Sequence, residues 1–253
     1  MALRILFVAL VMSSWGPSPA LAGWVVRQTV GASPAVIFMQ DNMVKTRSPS
    51  REVVFDLNRN LITLVDLRNR RYWRGDPQDF ARRAREAALE LVRARLSRLA
   101  PDERRAQLER FKRDMGLDDS EPRPAPPVRV EPVGAGAALA GFPTKRYEIW
   151  VGGRLRQELW AAVIPGLAKD LDLARFFKML RALEPGARHN WRLAPQVLEL
   201  RSREFPLKIV DYRPARKRVT LVRKMERKTL PPGTWRTPAG FRKESLKDFL
   251  RRP

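Results

Sequence analysis

The sequence predicts an α+β protein in which an antiparallel β-sheet is covered by a few helices and carries a charged helical insert. Three observations lead there. Short β-rich runs separated by Asn and Asp fill Trp24 to Arg74, the pattern of an antiparallel meander. The apolar period changes to that of a helix after Asp76-Pro77,. Alternation then returns around Gly152-Gly153, a pair that suits the type I′ turn of a hairpin.

The first 22 residues read as a cleavable export signal. Arg4 supplies the positive start, Ile5 to Met12 form an apolar run, and Ala20-Leu21-Ala22 gives the small-x-small pattern before Gly23,. A membrane anchor is the competing reading, but this run falls short of the roughly 20 residues that span a bilayer. Residues 23–253 are expected to form a single domain, periplasmic or secreted, with no transmembrane segment. There is no cysteine, so no disulfide, thiolate chemistry or cysteine-linked lipid is expected.

Candidate strands are Val25 to Val30, Ala35 to Gln40, Met43 to Arg47, Glu52 to Asp56, Leu61 to Asp66 and Arg71 to Arg74. Asp41-Asn42, Asn58-Arg59-Asn60 and Arg68-Asn69 supply their turns, because Asn and Asp tolerate left-handed backbone. Asp76 then caps a helix whose first residue is Pro77, where the missing N–H costs nothing. Phe80, Ala84, Ala88, Leu91, Val92, Leu96 and Leu99 recur at helical spacing,. Pro101 breaks or restarts the helix, and Leu108, Phe111 and Met115 continue the stripe to Gly116. The insert, 77–116, reads as a helical hairpin or kinked pair. The connector 118–127, DDSEPRPAPP, is too polar and proline-rich to pack,.

Gly134, Gly136 and Gly141 miss the spacing of both nucleotide-binding glycine motifs,, and read as a flexible lead into the next strand. Tyr147 to Val151 and Arg154 to Trp160 form the hairpin, with Trp150 opposite Leu155 on one face. Tyr147, Ile149 and Val151 lie on the other, so both faces ask for cover. A helix follows at Leu173, Phe176, Phe177, Leu180 and Leu183, capped by Asp170 or Asp172 and stopped by Pro185-Gly186. Strands resume at Phe205 to Asp211 and Arg216 to Thr229. In the latter, Val219, Leu221 and Met225 are expected on one face, opposite Arg218, Lys224, Glu226 and Lys228. Pro231-Pro232-Gly233 ends it, and Ser245 to Leu250 form a last helical turn.

The chain shows no catalytic constellation. His189 is the only histidine and sits in a turn-like polar stretch, which excludes a two-histidine metal motif. No Gly-x-Ser-x-Gly elbow accompanies it,. Asp170 with Asp172 suits capping, and Asp118 with Asp119 a solvated linker. No enzyme activity, cofactor or metal site is therefore expected.

Charge and aromatics point to binding instead. The formal net charge is +23, and residues 188–253 hold 19 Lys or Arg against 6 Asp or Glu. Such a field attracts anionic envelope surfaces through salt-sensitive forces, and export disfavours specific nucleic acid as the partner. Arginine outnumbers lysine 39 to 11, as a compositional bias would also produce. The candidate anionic-surface contacts are Arg216, Lys217, Arg218, Lys224 and Lys228. Tryptophan combines an apolar body with a polar N–H and suits both core packing and amphiphile contact. The candidate apolar cavity is lined by Trp73, Trp150, Leu155, Leu159 and Trp160.

Three stretches carry a resemblance: EVVFDLNRNLITLVDLRNRRYWRG, AGFPTKRYEIWVGGRLRQELWAA and FPLKIVDYRPARKRVTLVRKMERKTLPPGTWRTPAGFRK. The first resembles the meander of proteins with the fold of the lipoprotein-localisation factors. The other two are similar to the central hairpin and closing part of an exported bacterial family of unknown function in or near that superfamily. The resemblance implies a sheet curled into a half-barrel, with helices closing its mouth around an apolar cavity. In the localisation factors that cavity holds lipoprotein acyl chains. The insert 77–116 departs from the pattern, and no residue matches the carrier's gating arginine, so no functional residue is carried over. The resulting expectation is a non-enzymatic binder of an amphiphile or of lipoprotein acyl chains. The alternative is a protein-interaction module that uses the basic helical insert and has no ligand cavity.

Overall fold

The computed structural model describes residues 22–114, 126–183, 190–213 and 216–251. Residues 1–21 of the expected export signal, the end of the insert at Met115-Gly116, residues 118–125 of the connector, the Pro185-Gly186 stop and His189 lie outside them. Among the described residues the fold is mixed α+β, a large antiparallel sheet that is not closed, with six α-helices.

The meander forms where the turn residues place it. Its strands are β1 (Ala22–Val30), β2 (Ser33–Gln40), β3 (Met43–Arg47), β4 (Arg51–Asp56), β5 (Leu61–Asp66) and β6 (Arg71–Gly75). Asp41, Asn42 and Asn60 take positive φ, and so does Arg70, one residue beyond the expected Arg68-Asn69 turn. Two helices follow, α1 (Pro77–Leu96) and α2 (Pro101–Asp114). Asp76 caps α1 by accepting from the backbone N–H of Gln78 at 2.7 Å and of Asp79 at 3.3 Å. Asn60 Nδ2 donates to its other oxygen at 2.7 Å. Asp76→Ala should cost about 1–2 kcal/mol, measured as a lower urea midpoint.

The second half comprises β7 (Val128–Leu139), β8 (Phe142–Val151), β9 (Arg154–Ala162), α3 (Leu167–Asp170), α4 (Leu173–Leu183), a 3₁₀ turn at Trp191–Leu193, α5 (Pro195–Arg203), β10 (Phe205–Arg213) and β11 (Arg216–Thr229). The chain ends with β12 (Arg242–Lys243) and α6 (Leu246–Arg251). The sheet order is β12-β6-β5-β4-β3-β2-β1-β11-β10-β9-β8-β7. All pairs are antiparallel except β12 with β6. Trp150 stands opposite Leu155 across the Gly152-Gly153 turn. Both glycines have positive φ, +57° and +76°, the conformation a type I′ turn requires.

Two expectations need correction, and a third is narrowed to one of its alternatives. The glycine stretch at Gly134 and Gly136 is not a flexible lead but part of β7, the edge strand. Pro132 and two register shifts interrupt its alternation, and proline is tolerated at an edge because one side of the strand needs no donor. Gly136 is required by packing, since a Cβ there would lie 2.4 Å from Thr144 and 2.6 Å from the Trp160 ring. In β11 a bulge at Arg223 reverses the alternation, because Arg27 pairs with Lys224 while Gln28 pairs with Val222. Val219 and Leu221 therefore share a face with Lys224, Glu226 and Lys228, whereas Met225 shares the other with Val222 and Arg218. Finally, of the two candidate caps of α4, Asp172 takes the role, accepting from the Arg175 N–H at 2.9 Å. Asp170 instead accepts from the buried Trp24 indole at 3.0 Å.

Helices cover one face of the sheet, here the first face. Its core joins Trp24, Val26, Met39, Phe55, Ile62 and Trp73 to Met179 and Leu171. Phe55 meets Phe176 of α4 edge-on at 5.2 Å, and Trp73 meets Phe80 of α1 at 5.6 Å. The second face of β1 to β6 is covered by the segment running from Leu230 to Phe241. Leu230 packs against Gly23, Thr234 accepts from Lys45 Nζ at 3.1 Å, and Phe241 meets Arg70. Beneath this strap Val25, Val54 and Val65 are buried, and so are Lys45 and Glu52.

Candidate functional site

The five residues expected to line a cavity are divided between the two faces. Trp73 and Leu159 lie on the first face, both buried, but β6 and β9 stand far apart in the sheet order. Trp150, Leu155 and Trp160 lie on the second face of β8 and β9. There the aromatic rings are stacked by cations. Lys208 Nζ sits 4.1 Å from the Trp160 centroid and the Arg146 guanidinium 5.5 Å from it. Arg146 also pairs with Glu148 at 3.1 Å and with Glu158, which in turn accepts from the Tyr212 hydroxyl. Burial works to raise the Glu158 carboxyl, but hydrogen bonds from Tyr212 and Arg146 hold it below the ordinary range. The same bond, aided by burial, pushes the Tyr212 phenol up. The Trp150 indole, which donates to Glu148 at 3.2 Å, and the Trp160 ring are thereby tied into an ionic lattice.

The candidate anionic-surface contacts divide likewise. Lys217, Lys224 and Lys228 project from the second face of β11, where Glu226 bridges Lys224 at 2.6 Å and Lys228 at 3.5 Å. The Lys224 hydrogen bond is the main reason the Glu226 carboxyl is held down. Lys217 lies 5.0 Å from the Tyr212 ring. Arg218 is on the first face, directly opposite Asp211 of β10. The side chain of Arg216 lies outside the described residues.

An apolar groove does exist, between α4 and α5. Ala174, Phe177, Lys178 and Arg181 recur at helical spacing along one side of α4, and Leu198, Glu199 and Ser202 of α5 face them. It is an open groove with room of about 240 Å³, just below the roughly 300–1,000 Å³ of drug-sized sites, so it suits one chain or one side chain. Lys178 and Arg181 are exposed at its rim and form no ion pair among the described residues. Phe177 was legible as part of an amphipathic helix, but α5 was not expected, and without it the groove has no second wall.

No cluster of three or more His, Cys, Asp or Glu among the described residues could hold a metal ion. No described helix is long and apolar enough to cross a membrane. No protein-family model and no curated protein matches this chain.

Proposed function

We propose that the protein is a periplasmic or secreted, non-enzymatic binder of an anionic amphiphile, with a half-barrel fold like that of the lipoprotein-localisation factors. The observation that carries the reading is the groove between α4 and α5, whose apolar walls, Ala174, Phe177 and Leu198, lie under the cationic rim of Lys178 and Arg181. An acyl chain gains burial against the walls, about 0.8 kcal/mol per methylene removed from water, while the anionic head stays near the rim in solvent. The non-closed antiparallel sheet with helices on one face supports the half-barrel assignment. The site differs from the tryptophan-lined cavity expected of the sheet, because the first face beneath α1, α4 and α6 is packed by side chains.

Displacement of a fluorescent fatty acid tests this directly. The wild-type chain should bind saturably, and the double variant Lys178→Glu, Arg181→Glu should bind up to about 30-fold more weakly if each head contact is worth up to ~1 kcal/mol. Absence of binding by the wild-type chain, with no lipid retained in native mass spectrometry, would sink the reading.

One observation favours the alternative of a protein-interaction module. Leu91 of α1 is 58% exposed amid the arginines of the hairpin, and the outer residues of α2 face solvent. A protein partner that dissociates on Leu91→Arg, from a chain that carries no lipid, would replace the amphiphile reading with this one.

A further inference from the structure

Three arginines are gathered near one carboxylate on the first face, on the side of α5 that meets β9 and β10 and not the groove. Asp211 Oδ1 accepts from Arg192 Nη2 at 2.9 Å and from Gln157 Nε2 at 2.8 Å. Gln157, only 1% exposed, accepts in turn from Arg201 Nη2 at 2.8 Å. Its amide thus relays Arg201 to the same aspartate without supplying a charge. Arg218 stands opposite Asp211 in the β10–β11 register, is exposed, and forms no ion pair among the described residues. Trp191 holds the Arg192 guanidinium 4.4 Å above its ring, which fixes the fork while leaving Arg192 36% exposed.

The cluster is undercompensated. One guanidinium pairs with the carboxylate, a second reaches it through Gln157 and a third stands opposite it in the strand register, which leaves about two positive charges without a matching anion. Arg201 Nε is buried and has no hydrogen-bond partner. Burial, and then repulsion from Arg192, push the Arg201 guanidinium down to about 10, against the pull of Asp211. A protein does not ordinarily gather like charges at a partly buried point unless something neutralises them.

We propose that Arg192, Arg201 and Arg218 form a binding site for a phosphate monoester group. Guanidinium forks match phosphate oxygens bidentately. A phosphate monoester carries about −1.5 to −2 at pH 7, close to the excess charge of the cluster, whereas a carboxylate supplies half of that. The exposed sides of Arg192 and Arg218 give access from solvent, and Arg201 closes the inner end. The site rests on residues distinct from those of the α4/α5 groove and does not depend on the amphiphile reading.

Isothermal titration of the full chain with inorganic phosphate at constant ionic strength, with chloride as the reference, tests the proposal. Saturable binding is expected, weakened about tenfold or more by Arg218→Gln. Arg68→Gln, in the exposed turn between β5 and β6, removes the same charge far from the cluster and should leave binding unchanged. Arg218 is exposed, so its replacement tests the site without disturbing the core. Vesicles containing phosphatidic acid form the second arm. Binding to vesicles alone, weakened by Arg218→Gln and not by Arg68→Gln, supports the site and assigns the phosphate to a lipid headgroup. Binding of inorganic phosphate assigns it to a free or small-molecule phosphate. No binding in either arm, or equal weakening by the two variants, overturns the proposal.

Discussion

Glu52→Ala is expected to destabilise the protein by about 3–5 kcal/mol, the usual cost of leaving one member of a buried ion pair without its partner. Glu52 is 2% exposed and lies 2.7 Å from the Nζ of Lys45, itself 6% exposed. Arg47 contributes a second contact at 3.3 Å but is largely in solvent, so it adds little. Removing Glu52 strands the Lys45 ammonium between the sheet and the strap, held only by the Thr234 carbonyl at 3.1 Å. The melting temperature should fall by about 10 °C or more. The double variant Lys45→Met, Glu52→Leu should recover most of the loss, because apolar residues of similar volume remove the desolvation cost of both charges. A single variant with wild-type stability, measured by urea denaturation with an unchanged slope, would contradict the assigned burial.

The second large effect is expected at Arg71. Its guanidinium joins β6 to the C-terminal segment, with Nε 3.1 Å from Asp66, Nη1 3.2 Å from Glu244, and Nη1 3.3 Å from the Asp248 carbonyl. It also sits 5.2 Å over the Phe249 ring of α6. Arg71→Ala removes the cation shared by two shielded carboxylates, Asp66 and Glu244, and should cost about 3–5 kcal/mol. Limited proteolysis should then trim residues 242–251 before any other part of the fold.

Acid provides an independent readout of this contact. Burial works to raise Asp66, but hydrogen bonds from Asn69 and Arg71 hold it below its ordinary value. Glu244 is held down mainly by the hydrogen bond from Arg242, with Arg71 adding to it. Groups whose carboxyls are depressed in the folded state contribute stability above their unfolded range near 4, and that contribution disappears as pH falls through the folded values. The wild-type chain should therefore lose stability below about pH 4. Arg71→Ala should lose less over the same interval, since part of what acid removes is already gone.

The meander was legible because its determinants are local. Asp41-Asn42 and Asn60 announce turns through the backbone they tolerate, and strands between such turns have little choice of neighbour. Asp76-Pro77 announces a helix for the same reason. What was not legible depends on partners distant in the chain. The bulge at Arg223 exists only because β1 pairs with β11, and it reverses the face of every residue before it relative to those after it. Strand β7 was hidden by glycines whose role, leaving room for Trp160 beside Gly136, appears only when β8 and β9 are in place. The aromatic residues were recognised as a set, yet which face each occupies follows from register, which composition does not encode. The groove required α5, whose short run Pro195 to Arg203 carries too few apolar positions to signal a helix by period. Arg218 was marked by its charge, but its relation to Arg192 and Arg201 comes from β10, which pairs with β11 on one side and β9 on the other.

An open sheet of twelve strands exposes two edges to any other copy in solution. Such edges are templates for runaway association, and native chains blunt them. Here the two ends are blunted differently. At β6 the backbone is occupied by β12, which the Arg71 contact holds in place. At β7 the proline and the two register shifts spoil the regular ladder that an incoming strand would need. The Arg71 contact therefore guards against aggregation as well as unfolding, since loss of β12 would bare the one edge whose own sequence offers no such interruption.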